Sequence, residues 1–204
     1  MKSRLFVIAG CFILGLIVFA IAVRVRSLVH PTAFPPWMTP MLESRRRKPE
    51  RIMERSGLAP GERVLEVGTG AGFLTQHALD RVGASGRLVC LDLQREMLRK
   101  VRARLGPRTP WLVQASGSLL PFRDGVFDRS FLVTVLGEIP DKRGALAEQA
   151  RVLRRGGVLA VTEAIPDPDY VRMPVLRRLA EGAGLRPAER FGNWAQFTQR
   201  LARP

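Results

Sequence analysis

Three residue types on which many enzymes and metal sites depend are scarce in this sequence. Only two cysteines occur in 204 residues. Cys11 falls in an apolar run and Cys90 in a predicted strand, so both are expected to be small buried groups, and neither a disulfide framework nor a cysteine metal site is expected. The two histidines, His30 in a proline-rich stretch and His77 in a predicted helix, indicate neither a catalytic triad nor a metal centre. Tyr170 is the single tyrosine.

Acidic residues are also scarce relative to basic ones. The chain has 33 Lys+Arg and 18 Asp+Glu, which gives a formal net charge of +15 at pH 7. Such an excess favours attraction to anionic lipid surfaces or nucleic acid, although arginine enrichment from a GC-rich genome would give the same composition. The sequence has no Asn-Pro-Pro-Tyr-like base-binding motif and little chain for a recognition domain. A nucleic-acid partner is therefore not expected.

Residues 64–75 read Val-Leu-Glu-Val-Gly-Thr-Gly-Ala-Gly-Phe-Leu-Thr and contain the most informative pattern of the chain. Their first four residues are an apolar run typical of a buried parallel strand. Gly68, Gly70 and Gly72 permit a sharp turn and a close approach of a ligand to the backbone. Apolar residues then recur at helical spacing. Strand, glycine-rich turn and helix predict a cradle for a nucleotide-type cofactor, with a tight turn that binds nothing as the alternative.

Two carboxylates narrow the choice of cofactor. Glu66 stands two positions before the first glycine, where it suits a ligand with an amino group and would repel a pyrophosphate. Residues 87–91 form a second predicted strand that ends in Asp92, which can accept hydrogen bonds from both ribose hydroxyls. An amino group and a ribose describe S-adenosylmethionine better than NAD. The spacing G-x-G-x-G also departs from the G-x-G-x-x-G of dinucleotide sites.

Four segments, residues 66–72, 92–98, 120–128 and 152–159, occur in the order and spacing of a known family. With them the chain resembles a class I S-adenosylmethionine-dependent methyltransferase of the type 11 kind, over roughly residues 49–204. The resemblance implies an α/β fold with a doubly wound, mostly parallel seven-stranded sheet. It also implies S-adenosylmethionine as the cofactor, and it does not identify the methyl acceptor.

The resemblance assigns site residues as well. A glycine loop would lie against the methionine part of the cofactor, and its members are Gly68, Thr69, Gly70 and Gly72. Glu66 would reach the amino group, Asp92 the ribose and Leu93 the adenine face. Ser116 stands where many relatives have an acidic residue for the adenine amino group; its hydroxyl can still accept one hydrogen bond. An ordinary polar loop residue is the alternative for Ser116.

Methyl transfer requires mainly alignment of the reacting atoms and exclusion of water, and a base is needed only if the acceptor carries a proton. Many relatives have paired histidines after the fourth strand. Here Glu138 is the ionisable group of that segment and the catalytic candidate, either orienting an amine or accepting a proton; an ordinary acid at a helix start is the alternative. After the fifth strand, Asp167, Asp169 and Tyr170 either form a corner for a cationic group or start the next helix.

From residue 62 onward the pattern alternates between strand and helix, as in a doubly wound parallel sheet. Pro140 is predicted to open a helix with Leu146, Ala150 and Leu153 on one face, which Gly156 and Gly157 would end. The fifth strand is predicted over residues 158–162. The following helix is predicted from an apolar stripe that consists of Val171, Val175, Leu179 and Ala183. A turn at Gly192-Asn193 is expected to join the last two strands as a hairpin.

Residues 5–23 contain no charge. As a helix this run spans about 28 Å at 1.5 Å per residue, close to the roughly 30 Å hydrocarbon core of a bilayer. It is flanked by the basic residues Lys2, Arg4, Arg24 and Arg26. A cleaved signal peptide ending near Ala22 is the alternative, but apolar signal cores usually run about 7–15 residues. The pattern favours an uncleaved transmembrane anchor.

The anchor sets the expected domain organisation: residues 1–26 as the anchor, 27–44 as a proline-rich juxtamembrane linker and 45–204 as the methyltransferase domain. Basic residues after the span outnumber those before it, which favours a single-pass membrane protein with a cytoplasmic catalytic domain. The basic cluster, residues 45–48, suits anionic headgroups, or else begins a solvated helix or a lid over the cofactor.

The leading hypothesis is a membrane-anchored methyltransferase whose acceptor is a small apolar or membrane-resident molecule, such as a lipid or a quinone precursor. Tethering would raise the effective concentration of such a substrate. The alternative is a module that binds the cofactor or a lipid without turnover. The glycine spacing disfavours an NAD-dependent oxidoreductase. The absence of a recognition domain disfavours a nucleic-acid methyltransferase.

Overall fold

Seven strands form a single sheet in the order β3-β2-β1-β4-β5-β7-β6. The computed structural model describes residues 49–165 and 167–204, and these belong to one compact unit. The strands are β1 Arg63–Val67, β2 Arg87–Asp92, β3 Trp111–Gln114, β4 Phe127–Val133, β5 Leu153–Ala164, β6 Arg186–Gly192 and β7 Gln196–Ala202. The α-helices of the described residues are α1 Pro49–Ser56, α2 Phe73–Val82, α3 Arg95–Leu105, α4 Lys142–Val152 and α5 Met173–Gly182. Short 3-10 helices cover Gly106–Arg108 and Leu136–Glu138.

The strand pairing confirms the doubly wound, mostly parallel seven-stranded sheet. Strands β1 to β5 pair in parallel, and β7 runs antiparallel between β5 and β6. The central strands are apolar on both faces because helices cover both of them. Helices α1 and α2 supply Ile52, Met53, Ala78 and Val82 to one core cluster. Helices α4 and α5 contribute to the larger cluster on the other face.

The terminal hairpin is confirmed. Gly192 closes β6 with a φ of 88°, a conformation that glycine adopts without steric cost. The Asn193 carboxamide oxygen then accepts from the N–H groups of Ala195 and Gln196 at 2.9 and 3.1 Å. On β7, Phe197 and Leu201 are both fully buried, so this strand packs one apolar face against the core.

The predicted boundary between α4 and β5 is wrong. The helix begins at Lys142, with the Asp141 carboxylate accepting from Gly144 N at 2.8 Å, and it ends at Val152. Leu153 does not continue the helical face, because it is extended and pairs with Phe127 of β4. The strand therefore starts five residues before the predicted Val158 and contains the two glycines that were expected to end the helix. The register shift in this pairing places residues 154–157 in a bulge.

The predicted apolar stripe of α5 is wrong at Val175, whereas Leu179 and Ala183 are partly buried and pack against the core as expected. Val171 is buried but precedes the helix, which begins at Met173. Counting the stripe from Val171 consequently points Val175 inward, whereas its side chain is exposed. The buried residues of the helix are Leu176 and Ala180, one turn apart.

The predicted anchor, linker and basic cluster, residues 1–48, lie outside the described residues. Among the helices of residues 49–165 and 167–204, none combines the length and the hydropathy of a membrane-crossing segment.

Candidate cofactor and active site

The carboxyl ends of β1, β2, β4 and β5 meet at one edge of the sheet, which we call the carboxyl edge. In open α/β sheets, ligands bind at this edge, where the strand order reverses. The order β3-β2-β1-β4 reverses between β1 and β4. The glycine loop follows β1 at this point, and Asp92 and Glu138 lie at the ends of the neighbouring strands, so the fold brings these predicted residues together.

The three motif glycines have different neighbours although all three have positive φ angles. A Cβ at Gly68 would lie 2.3 Å from Val135 Cγ2, and a Cβ at Gly72 would lie 3.2 Å from Val101 Cγ2. At Gly70, no atom of the described residues would come within 4 Å of a Cβ. Gly68 and Gly72 thus allow close packing within the protein, whereas Gly70 faces open space in which a ligand can approach the backbone.

Gly70→Ala should therefore weaken cofactor binding more than it weakens the fold. Its Cβ enters the ligand space, and such overpacking costs about 1–3 kcal/mol, or roughly 5- to 150-fold in affinity. Gly106→Ala is the matched control, because Gly106 has a φ of 52° against 54° at Gly70, and its Cβ also meets no described atom within 4 Å. Calorimetric titration with S-adenosylmethionine, together with thermal melts, compares the two variants. Equal affinities would show that nothing binds against Gly70.

Asp92 is held rigidly at the end of β2. Its Oδ2 accepts from Gly70 N at 2.9 Å, and its Oδ1 accepts from Gln94 N at 2.9 Å. The side chain is almost buried, and this burial raises the pKa of Asp92 despite the two backbone hydrogen bonds. Each carboxylate oxygen has a second lone pair, so the group can still accept from a ligand's hydroxyls. The next residue, Leu93, is 45% exposed, which leaves an apolar face beside this acceptor.

Glu66 is buried beneath the glycine loop. Its Oε2 accepts from Thr75 Oγ1 at 2.7 Å, Cys90 Sγ at 3.1 Å and Thr69 Oγ1 at 3.2 Å. Burial nevertheless raises the pKa of Glu66 to about 7, with a small further contribution from Asp92. One carboxylate oxygen is thus committed to the protein itself, and the proposed contact of Glu66 with a cofactor amino group stays a prediction.

Thr75 and Cys90 were not identified from the sequence as partners of Glu66. The strand register would have indicated Cys90, since Glu66 and Cys90 are directly paired on β1 and β2 and their side chains share one face. Thr75 lies in the first turn of α2, which returns over the end of β1. Thr69, predicted as a loop residue of the site, also donates to this carboxylate.

Ser116 lies in the loop after β3, as expected. Its Oγ is 2.9 Å from Ser118 Oγ and accepts from Ser118 N at 3.3 Å. A Cβ at the intervening Gly117 would lie 2.7 Å from Ile139 Cδ1, so this loop packs against the segment after β4. The role of Ser116 in binding adenine stays a prediction.

Glu138 ends the 3-10 helix after β4, and its side chain is exposed to solvent. Its surroundings raise the pKa of Glu138 to about 8: burial is the main cause, followed by the negative charges of Asp167, Asp169 and Asp92. Solvent screening makes such a shift smaller than it would be for a fully enclosed group. Glu138 and Asp92 both follow strands that end at the carboxyl edge, and the negative charge of Asp92 adds to the raised pKa of Glu138.

Two features of this segment were not predicted. Thr134 has a φ of 53°, a strained conformation for a residue with a side chain, and such strain often occurs at functional sites. A Cβ at Gly137 would lie 1.8 Å from the carbonyl oxygen of Asp169, so the segment after β5 lies directly on the segment that bears Glu138. A contact between such distant residues leaves no local signal in the sequence.

His77 and Tyr170 contact protein groups. His77 Nδ1 is 3.8 Å from Glu50 Oε1, and its ring meets Phe73 edge to face. The Tyr170 hydroxyl donates to the Trp194 carbonyl at 2.6 Å, and its ring meets Phe197 edge to face. Tyr170 therefore ties the segment after β5 to the β6–β7 turn.

Comparison with known proteins agrees with this geometry. Residues 65–161 match a family model described as a methyltransferase domain. The fold resembles a SAM-dependent methyltransferase from Aquifex aeolicus, with a TM-score of 0.73, 24% identity and coverage of 83% of this chain and 98% of that one. It also resembles the cyclase SpnF, with a TM-score of 0.62, 20% identity and coverage of 71% and 59%.

Residues 65–161 thus resemble a methyltransferase domain, the fold is that of S-adenosylmethionine-dependent methyltransferases, and together these likenesses imply S-adenosylmethionine as the cofactor. Among curated proteins it is similar to a ubiquinone/menaquinone biosynthesis C-methyltransferase, UbiE, from Teredinibacter turnerae. The two are 37% identical over 115 residues, which make up 54% of this chain and 46% of the relative. The chain thus spans about half the length of the relative that it matches.

The residues present fit this cofactor. Gly70 leaves space against the backbone, Asp92 offers buried acceptors for ribose hydroxyls, and Leu93 offers an apolar face for adenine. When bound, the cofactor supplies a methyl group on a positively charged sulfur. The carboxylates at this edge favour such a positive charge.

Proposed function

We propose that the protein transfers a methyl group from S-adenosylmethionine to a small apolar acceptor, of the quinone-precursor or lipid kind, that resides in a membrane. The observation that carries the proposal is the pairing of the open space at Gly70 with the buried Asp92 carboxylate. The choice of acceptor is supported by the similar relative, which is named as a quinone-biosynthesis C-methyltransferase.

The catalytic role in this proposal belongs to Glu138. An acceptor carbon or hydroxyl that carries a proton must lose it, and a carboxylate whose pKa lies near the working pH is suited to take it. Burial and the neighbouring acids raise the pKa of Glu138 toward that range. Glu138 is the ionisable residue in the 3-10 helix after β4, at the same edge of the sheet as Asp92.

The cofactor half of the proposal is tested at Asp92. Asp92→Ala should weaken S-adenosylmethionine binding by about 1.5–3 kcal/mol, or roughly 10- to 150-fold, because a charge-assisted acceptor is lost. Asp92→Asn, which keeps one acceptor oxygen and the size of the side chain, should lose less. The control is Asp80→Ala, because Asp80 is an exposed residue paired with Arg108. Calorimetric titration measures all three, and an unchanged affinity of Asp92→Ala would remove Asp92 from the site.

The membrane half of the proposal rests on residues 5–23. We propose that this uncharged run anchors the chain in a single pass and that the domain faces the cytoplasm, where the cofactor is made. The excess of basic residues after the run favours this orientation. The full-length chain should float with vesicles and resist an alkaline carbonate wash. Release by the wash, or a mature N-terminus after Ala22, would contradict the anchor.

A second candidate function is a module that binds cofactor or lipid without methyl transfer. The likeness to the cyclase SpnF supports it, because the same fold then occurs in a protein named for a different reaction. Incubation of native membrane extracts with labelled S-adenosylmethionine distinguishes the two candidates. A labelled product supports the transferase, whereas tight cofactor binding without any labelled product supports the module.

A further inference from the structure

The exposed large apolar side chains of the described residues are concentrated at one edge. Six such residues occur, and five of them lie at the carboxyl edge: Leu93, Leu119, Ile165, Val175 and Trp194. They follow β2, β3 and β5, lie in the first turn of α5, and lie in the β6–β7 turn. The sixth, Trp111, begins β3 at the opposite edge. Scattered single apolar residues need no explanation, but a set that surrounds the mouth of a site indicates an interaction surface.

The most exposed of these residues stands on a rigid support. Trp194 is 76% exposed, while its own carbonyl accepts from the Tyr170 hydroxyl. Ile165 N donates to the Ala195 carbonyl at 2.9 Å, so Ile165 and Trp194 belong to two connected segments. An exposed indole on a fixed turn is suited to the interface between water and lipid, where it can be apolar on one side and wet on the other.

Exposed arginines accompany the apolar residues. Arg95, Arg143 and Arg172 lie at the beginnings of α3, α4 and α5, and Arg190 lies near the end of β6. All of these positions belong to the carboxyl edge. Acids are also present at this edge. Glu96 contacts Arg99 at 3.6 Å, Asp141 accepts from Gly144 N, and exposed Glu138 lies near Asp167 and Asp169. Apolar residues mixed with arginines match a surface of anionic headgroups over acyl chains.

The first described helix, α1, begins on the same side. Glu50 of α1 contacts His77 in the first half of α2, which begins at the carboxyl edge. After α1, Gly61 N donates to the carbonyl of Val82 at the last residue of α2. The start of α1, at Pro49, is thus the end of this helix nearer to the carboxyl edge.

We propose that the carboxyl edge, through Leu119, Ile165, Val175 and Trp194 together with Arg95, Arg143, Arg172 and Arg190, rests on an anionic bilayer, so that the candidate site opens into the headgroup layer. The proposal goes beyond the proposed function by naming the face, and it rests on that function for the nature of the acceptor. A net charge of +15 disfavours a second copy as the occupant, because like charges repel.

The two exposed tryptophans provide a matched test in the full-length chain. The sequence has three tryptophans, so Trp37→Phe with Trp111→Phe leaves Trp194, and Trp37→Phe with Trp194→Phe leaves Trp111. Both forms are reconstituted in vesicles of phosphatidylcholine and phosphatidylglycerol that carry brominated acyl chains. We expect quenching of Trp194 to be about twofold or more greater than that of Trp111, because an interfacial indole lies within reach of the chains. Equal quenching overturns the proposal.

A charge-reversal pair tests the arginines. Arg143→Glu with Arg190→Glu should reduce the quenching of Trp194, and Arg155→Glu, an exposed arginine near the other edge of the sheet, should not. Equal effects of the two changes would show that Arg143 and Arg190 do not bind this face to the bilayer. A blue shift of Trp194 emission with rising protein concentration in lipid-free buffer would identify a second copy, or another protein surface, as the occupant and would also overturn the proposal.

The experiments distinguish a wrong proposed function from a wrong membrane-binding face. Loss of S-adenosylmethionine binding in calorimetry contradicts the proposed function and leaves the quenching result standing. Failure to float with vesicles contradicts the anchor, and quenching of Trp194 by added vesicles then still decides the face. With an active preparation, Trp194→Ala should lower the rate on acceptor in vesicles but not on acceptor in detergent, whereas Trp111→Ala should lower neither.

Discussion

Glu138→Gln should lower kcat by about 10²- to 10⁴-fold, the usual contribution of a positioned general base. The variant keeps the size of the side chain and loses the proton acceptor. The raised pKa gives the expected pH profile. A base acts in its ionised form, and burial with the charges of Asp167 and Asp169 raises the pKa of Glu138 to about 8. The wild-type rate should therefore increase with pH up to about 8 and then level off.

Steady-state kinetics across this range separates a catalytic role from a structural one. Glu138→Gln should remove the rising limb of the profile, while its affinity for S-adenosylmethionine stays near that of the wild type. Glu96→Gln is the control, because Glu96 is an exposed acid at the same edge and contacts Arg99. A variant that retains both its rate and its rising limb would show that Glu138 takes no proton, and the acceptor would then be one that needs no base.

The cofactor side of the site was predictable from sequence because its signals are local. A glycine at every second position and a carboxylate at the end of the next strand predict the loop and the place of Asp92 beside it within 27 residues, 66–92. The backbone conformation of Gly70 and the position of Asp92 follow from these short patterns. The fold class followed similarly from the alternation of apolar runs with helical stripes.

The acceptor side was less predictable because its contacts join distant parts of the chain. Gly137 is glycine because the backbone at Asp169 lies against it, and the distance between them in sequence conceals this. The end of α4 was predicted wrongly for a related reason. Leu153 is apolar and in helical phase with Leu146, but its pairing with Phe127 makes it part of β5. Tertiary pairing overrides local periodicity at such places.

The hydrogen-bond partners Thr75 and Cys90 of Glu66 were also not predicted from local sequence patterns, and they affect the pKa of this residue. Thr69, Thr75 and Cys90 all donate to one oxygen, which favours the ionised form, while complete burial disfavours it more strongly. Sequence alone indicated a carboxylate near a ligand. The structure adds that this carboxylate is close to the balance between its charged and neutral forms.

The free energy of unfolding should therefore decrease with pH more strongly in the wild type than in Glu66→Gln. Burial raises the pKa of Glu66 from 4.5 to about 7 in the folded state, so the folded protein holds a proton that the unfolded chain releases. This stabilisation is fully present below about pH 4.5 and is lost as the pH rises through about 7. At about 1.4 kcal/mol per pKa unit, the loss amounts to about 3 kcal/mol. Glutamine is neutral throughout and should show no such loss.

Denaturant titrations of both proteins between pH 5 and 8 measure the difference. The titration of Glu138 cancels in this comparison because both proteins contain it. Thr75→Val removes the strongest hydrogen bond to the ionised form, so it should move the loss to higher pH. Parallel stability curves for the wild type and Glu66→Gln would show that Glu66 is ionised across this range in the folded protein.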